Sequence, residues 1–237
     1  MIGRSTARFS LSERTAGRWS SISRAPITSV MLGKGPVRQG PRIETERLLL
    51  RRWRSADLEP FARMNADPLV MEHFPGLLER ERSDALAAAA DALFDDVGYG
   101  LFALQVKQGD AFVGFVGVRP LAGDADLSFL GEAEIGWRLA ARVWGRGYAP
   151  EAARACLASG FDEHGLSEIV SFTTAGNLRS RRVMEKIGMR RDAAGDFEHP
   201  RIEPGHPLQP HVLYRLSASD WRRQAQAPSS FDERDAR

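Results

Sequence analysis

The stretch Glu134-Ile-Gly-Trp-Arg-Leu-Ala-Ala-Arg-Val-Trp-Gly-Arg-Gly-Tyr-Ala-Pro-Glu151 decides how this chain is read. It begins with strand character, passes through a glycine turn and enters a helix. The turn carries Arg142-x-x-Gly145-x-Gly147, a spacing that presents backbone N–H groups and one cation to a pyrophosphate at a helix N-terminus. No Gly-Lys-Ser/Thr follows, so it is not the loop of a nucleotide hydrolase. Position 150 is Pro, so it is not a dinucleotide fingerprint either. Taken alone, a Gly-x-Gly turn is equally a plain link between strand and helix.

Downstream, Ala149, Ala152, Ala153, Cys156, Leu157, Gly160 and Phe161 recur at helical spacing, and His164-Gly165 ends the run. Small residues at the start of this helix allow close approach to a sheet. Ile169–Thr174 reads as a β-branched strand. Asn177 caps a helix through Lys186, and Gly188 ends it at the position where glycine is favoured. Strands follow over Met189–Phe197 and His211–Leu216. Upstream of the turn, Glu132–Leu139 is a strand. Leu101–Lys107 and Phe112–Pro120 are two more, joined by the hairpin signal Gln108-Gly-Asp110. A first strand covers Leu48–Trp53. Ser55 reads as the N-cap of a helix over Ala56–Ala66, and Ser83–Asp96 is an alanine-rich helix. The order β-α-α-β-β-β-α-β-α-β-β predicts a mixed α/β fold.

The chain has 237 residues, 43% of them hydrophobic, and no apolar run approaches the ~18 residues of a membrane span. Its one cysteine, Cys156, lies on the apolar face of a helix, which fits a reducing, cytoplasmic setting and a core role. Residues 1–40 hold seven basic residues and one acid, Glu13, leaving the rest of the chain at a net −4. The basic character belongs to this tail, so the globular part gives no reason to expect nucleic-acid binding. The tail reads as disordered. It also has the composition of a transit peptide, or of upstream translated sequence with Met31 as the start. One domain is expected over 41–222, with a polar tail over 223–237.

Three segments resemble, in the right order, the GNAT family of N-acetyltransferases. The first is Glu-x-Gly-Trp with Arg-x-x-Gly-x-Gly-Tyr-Ala and a closing Glu-Ala, from Glu134 to Ala152. The second is Asn177-Leu-Arg-Ser180 running to Glu185-Lys-Ile-Gly-Met189. The third, Ile43-Glu-Thr-Glu-Arg-Leu-Leu-Leu-Arg51, resembles the branch that holds the ribosomal-protein N-terminal acetyltransferases. The resemblance spans about residues 43–217. It implies a GNAT fold: a twisted, mostly antiparallel sheet with splayed parallel strands, flanked by about four helices.

It also implies acetyl-CoA as cosubstrate. Backbone groups of Ile135, Gly136 and Trp137 would bond the pantetheine arm. Amides of Val143, Trp144, Gly145, Arg146, Gly147 and Tyr148 would hold the pyrophosphate, and side chains at Gly145 or Gly147 would block that approach. Arg142 fills the family's Gln/Arg position. The Arg146 side chain either meets the 3′-phosphate or stays solvated. Asn177 reaches the pantetheine, caps its helix, or does both.

An alkyl ammonium has a pKa near 10, so a base or a water chain must take its proton at neutral pH. Glu134 is the first candidate, against the alternative of a solvated strand-end carboxylate, and Glu132 is its substitute. Many GNAT relatives carry a Tyr acid where this chain has Met184, which cannot donate a proton. Ser180 either supplies a hydroxyl through water or is a small residue that lets CoA pass. The Pro-rich loop with His199, His206 and His211 is expected to border the acceptor pocket, with no metal. Phe74 is expected at the pocket wall, and Tyr214 in the core or the wall. The activity implied is direct acetyl transfer to a primary amine, a protein N-terminus or a small molecule. The alternative is a non-catalytic acyl-CoA-binding or sensing module. No nucleic-acid or membrane partner is expected, and the chain is a monomer or homodimer. The globular part's net −4 suits a cationic acceptor.

Overall fold

The computed structural model describes residues 40–109, 111–121 and 124–226. The strands are β1 (Ile43–Glu44), β2 (Leu48–Arg51), β3 (Leu101–Val106), β4 (Ala111–Pro120), β5 (Ala133–Leu139), β6 (Glu168–Thr174), β7 (Arg190–Glu198) and β8 (Pro210–Ser217). They form one sheet in the order β1-β2-β3-β4-β5-β6-β8-β7. Every neighbouring pair is antiparallel except β5–β6. The helices are α1 (Ser55–Asn65), α2 (Arg80–Asp96), α3 (Tyr148–Ala158), α4 (Leu178–Lys186) and α5 (Ala218–Gln226). The fold is the mixed α/β arrangement expected. The basic tail lies outside the described residues except for Gly40, as do Asp110 of the hairpin and everything after Gln226.

Strand alternation sorts the sheet into two faces. Ile135 and Leu139 join Leu48, Leu50 and Val116 in a buried cluster with Ala152, Cys156 and Leu157 of α3 and Met184 of α4. On the other face Leu101, Ala103 and Phe115 pack with Trp53, with Phe61 and Met64 of α1, and with Ala87 and Ala90 of α2. Each fully buried Leu or Phe contributes about 1.5–3 kcal/mol. Residues 134, 136 and 138 of β5 therefore look toward the α1–α2 side.

Several boundaries differ from expectation for identifiable reasons. Ser55 is not the cap of α1; Arg54 holds that place, and its N–H donates to the Asp57 carboxylate at 2.8 Å. Asp57 is fixed there by a fork from Arg51, whose Nη1 and Nη2 donate at 2.7 and 2.8 Å. The first strand stops at Arg51, and α2 starts three residues early, at Arg80, which pairs with Asp84 one turn on. The sequence reading did not anticipate α5. Its start is a side-chain cap, Asp220 N–H donating to Ser217 Oγ at 3.1 Å, and Trp221 stacks on Phe161 at 5.8 Å.

Candidate active site

β4 and β5 pair along seven residues, but β5 and β6 are in register only at Glu134↔Val170. Beyond that pair the two parallel strands diverge, and the freed edge of β5 runs from Ile135 to Leu139. One bond crosses the gap: Ser171 Oγ donates to the Ile135 carbonyl at 2.9 Å. Sequence reasoning missed Ser171, because nothing local marks a serine that looks across a splay.

At the open end of the gap the chain turns through a short 3-10 segment, Ala141–Val143, and then the two glycines. Gly145 and Gly147 have φ of 76° and 79°, a region side chains rarely tolerate. A Cβ at Gly145 would meet nothing within 4 Å, so the space beside it is open. The amides of Val143 and Trp144 donate to the Ala140 and Ala141 carbonyls, each at 3.1 Å. This corrects the expectation that both are available to a pyrophosphate. The amides of Gly145, Arg146 and Gly147 make no such bond among the described residues. They stand at the N-terminus of α3, where Pro150 needs no hydrogen bond in the first turn.

Arg142 is placed otherwise than expected, and Arg146 is exposed, the solvated alternative. Arg142 Nη2 donates to the Phe112 carbonyl at 2.7 Å, and neither arginine lines the cavity at the splay. The register between β3 and β4 shifts after Leu104, and the displaced β4 backbone offers its carbonyls to this region. The Val113 carbonyl accepts from Ala140 N–H at 2.9 Å. Arg142 thus ties the turn to β4. Arg47 fixes the turn's other side: Nη1 donates to the Arg146 carbonyl at 2.9 Å and Nε to Glu151 at 2.7 Å. Thr45 Oγ1 reaches the same carboxylate at 2.6 Å. The glutamate that closes the motif is therefore an anchor between the β1–β2 turn and α3.

The cavity is about 950 Å³, at the upper end of small-molecule sites. Glu134, Ile135, Gly136, Trp137, Val143, Trp144, Gly145, Gly147, Tyr148, Asn177 and Ser180 all line it. Asn177 does cap α4: its Oδ1 accepts from Ser180 N–H at 3.1 Å, while Nδ2 donates to Thr173 Oγ1 at 2.9 Å. Met184 also lines the cavity, whereas Tyr214 is core, its hydroxyl donating to Glu185 at 3.1 Å. Phe74 lies on the wall. Arg179 of α4 also lines it, at 2.5 Å from Glu72 and with its guanidinium 4.3 Å from the Trp144 ring centre.

Glu134 sits at the vertex of the splay. Arg119, its register partner on β4, places Nη2 2.5 Å from Oε2. Burial pushes the Glu134 carboxyl above its ordinary range, and Arg119 works against that push. Glu132, the proposed substitute, does not line the cavity. It accepts from Ser167 N–H and Oγ and from Glu168 N–H. Burial opposes them, yet these donors hold its carboxyl below the usual range.

Of the late histidines, His199 and His211 come together on the cavity wall with ring centres 4.8 Å apart. His206 does not; its Nδ1 accepts from Leu208 N–H within the loop. Burial and the neighbouring His211 and Arg201 push His199 down to about 4, and burial lowers His211. Both are therefore neutral near pH 7. No group of metal-binding side chains occurs among the described residues, nor any helix long and apolar enough to cross a membrane. Cys156 is buried, and burial pushes its thiol far up, away from nucleophilic use.

The Acetyltransferase (GNAT) domain matches residues 47–190. YkkB of Bacillus subtilis (strain 168) is 33% identical over 149 residues, 62% of this chain and 84% of that protein. The uncharacterized N-acetyltransferase YnaD of the same organism is 30% identical over 180 residues, 76% of this chain and 98% of that protein. Among solved structures, a GNAT-family acetyltransferase from Bacillus anthracis is similar with a TM-score of 0.61 and 29% identity, covering 76% of this chain and 99% of that one. A splayed parallel pair, a glycine turn at a helix N-terminus and a domain match over most of the described residues together make this chain a member of the GNAT acetyltransferase family.

Proposed function

We propose that this acetyltransferase takes acetyl-CoA as donor and moves the acetyl group directly to a primary amine. The observation that carries the reading is the splay after Glu134↔Val170, with an unpaired strand edge leading to amides at the N-terminus of α3. These residues fit the group. The edge from Ile135 to Trp137 would bond an extended amide-bearing arm, and the amides of Gly145 to Tyr148 would take a pyrophosphate. Asn177 and Ser180 border the arm from α4. Bound there, acetyl-CoA supplies the acetyl group as an activated thioester.

Glu134 is the residue assigned to accept the ammonium proton. Its raised pKa makes it a stronger base than an ordinary carboxylate, and Arg119 fixes its orientation. The site offers no proton donor in the Tyr position, where Met184 stands. Ser180, through water, or solvent itself therefore protonates the departing thiolate. Buried Cys156 gives no covalent route. The reading extends to a cytoplasmic enzyme acting as monomer or homodimer on a small amine or a peptide N-terminus.

The test is thiol release from acetyl-CoA by the purified protein across a panel of amines and peptides, with calorimetric binding of acetyl-CoA alongside. Turnover with at least one amine is expected. Tight acetyl-CoA binding with no turnover on any amine would establish the non-catalytic binding module instead.

A further inference from the structure

The charges around the cavity run opposite to the net negative charge of the globular part. Two carboxylates line it, Glu79 and Glu134, and cationic side chains outnumber them. Two of these cations are already neutralised. Arg119 pairs with Glu134 and lies 3.6 Å from Asp124; Arg201 pairs with Asp124 and, at 2.9 Å, with Asp126.

Arg138 is a buried cation with no acid beside it among the described residues. It projects from β5 on the same face as Glu134 and lines the cavity. Its guanidinium lies 4.1 Å from the Phe74 ring centre and 5.7 Å from that of Phe115. Nη1 donates to Asn65 Oδ1 at 2.7 Å, and Asn65 is itself held by Ser83. Nε is buried with no hydrogen-bond partner, and no carboxylate reaches the group among the described residues. Burial alone pushes Arg138 down to about 10, with no acid to restore it. A buried cation without a counter-charge is costly to fold around. Here two rings and an amide orient it toward a cavity.

We propose that Arg138 recognises the carboxylate of the acceptor, so that the substrate is a small amine carrying a carboxylate, an amino acid or short peptide. This rests on the transferase reading above. With Nη1 on Asn65 and Nε buried, Nη2 is the donor left for the cavity, and a guanidinium suits a carboxylate. A buried positive charge with no acid beside it suits an anionic group on the acceptor. Arg138 is four positions along β5 from Glu134, about 13 Å along the backbone, and both line the same cavity. A polycation such as spermidine would find Glu134 engaged by Arg119 and an unpaired guanidinium facing it.

The experiment compares kcat/KM for amino acids and dipeptides, their carboxamides, phosphoethanolamine and spermidine, in wild type, Arg138→Met and Arg138→Lys. Wild type is expected to favour the free carboxylate over its carboxamide by at least about 30-fold, mostly through KM. Arg138→Met should erase that preference while leaving carboxamide rates and acetyl-CoA affinity within about threefold, and Arg138→Lys should restore part of it. Preference for spermidine, for carboxamides or for phosphoethanolamine overturns the proposal. So does an equal loss on acid and amide in both variants. Thermal shifts of CoA-loaded protein by N-acetyl amino acids and their amides separate the two readings. If no amine is acetylated but N-acetyl amino acids still stabilise wild type and not Arg138→Met, the transferase reading fails and the Arg138 assignment stands. If turnover occurs and no carboxylate shifts wild type, the Arg138 assignment fails alone.

Discussion

Arg119 and Glu134 face each other across the β4–β5 register with Nη2 and Oε2 2.5 Å apart, at the point where the sheet opens. The pair sets both the direction and the strength of the assigned base. Glu134 must be ionised to accept a proton, and burial raises its pKa, so kcat/KM should fall on acidification at a pH above the ordinary carboxyl value of 4.5. Glu134→Gln should lower kcat/KM by about 10²–10⁴ and remove that acid limb, with acetyl-CoA affinity unchanged. Arg119→Gln removes the cation that lowers the pKa, so the limb should move to higher pH. An unchanged rate in Glu134→Gln would refute the assignment.

The glycine turn predicts a loss of a different kind. Gly147 has φ 79°, and a Cβ there would lie 3.3 Å from Arg47 Nη2. Gly147→Ala should cost about 1–2 kcal/mol in chemical denaturation. By displacing the turn's amides it should also weaken acetyl-CoA binding about tenfold or more in calorimetry. A variant that binds acetyl-CoA as wild type does would show that the amides are not the pyrophosphate site.

Glu151 tests the anchor beneath that turn. It takes hydrogen bonds from Thr45 Oγ1, Arg47 N–H and Arg47 Nε. Its removal leaves those donors without their acceptor, and Glu151→Ala should destabilise by about 1–3 kcal/mol. Burial opposes ionisation here, but the donors win and depress the pKa. The contribution is therefore present at neutral pH and lost as pH falls through the depressed folded-state value. Melting curves of wild type and Glu151→Ala should converge on acidification.

His199 gives an acid-stability signature of the same sign from the opposite chemistry. Its pKa falls from 6.5 unfolded to about 4 folded, so between those values the unfolded chain binds more protons and stability drops as pH drops. The loss attributable to His199 reaches about 3 kcal/mol near pH 4. A His199→Gln variant should show a shallower decline between pH 6.5 and 4 than wild type in denaturant titrations. Parallel curves would place the proton uptake elsewhere.

What the sequence made legible was local. The 3.6 period of α3, the paired glycines and the Asn177 cap each depend on residues within one turn of one another, and each stands where expected. What stayed hidden depends on register. Nothing near Arg119 signals that it meets Glu134, because strand register pairs two residues fifteen positions apart. Arg142 looks like a phosphate ligand until the β4 carbonyl of Phe112 claims it. α5 escaped because its one large apolar residue, Trp221, packs sideways onto Phe161 rather than forming a stripe. Arg138 read as an ordinary strand residue, and only the fold shows that it lacks an acid.

Glu134↔Val170 has a mechanical consequence as well. One register pair is a hinge pin between two plates, β1–β5 and β6–β8. A ligand arm lying along Ile135–Trp137 would be the missing strut between them. The cosubstrate would then stiffen the molecule, and in the ligand-free protein the β5 amides on the freed edge should exchange faster than those bonded to β4.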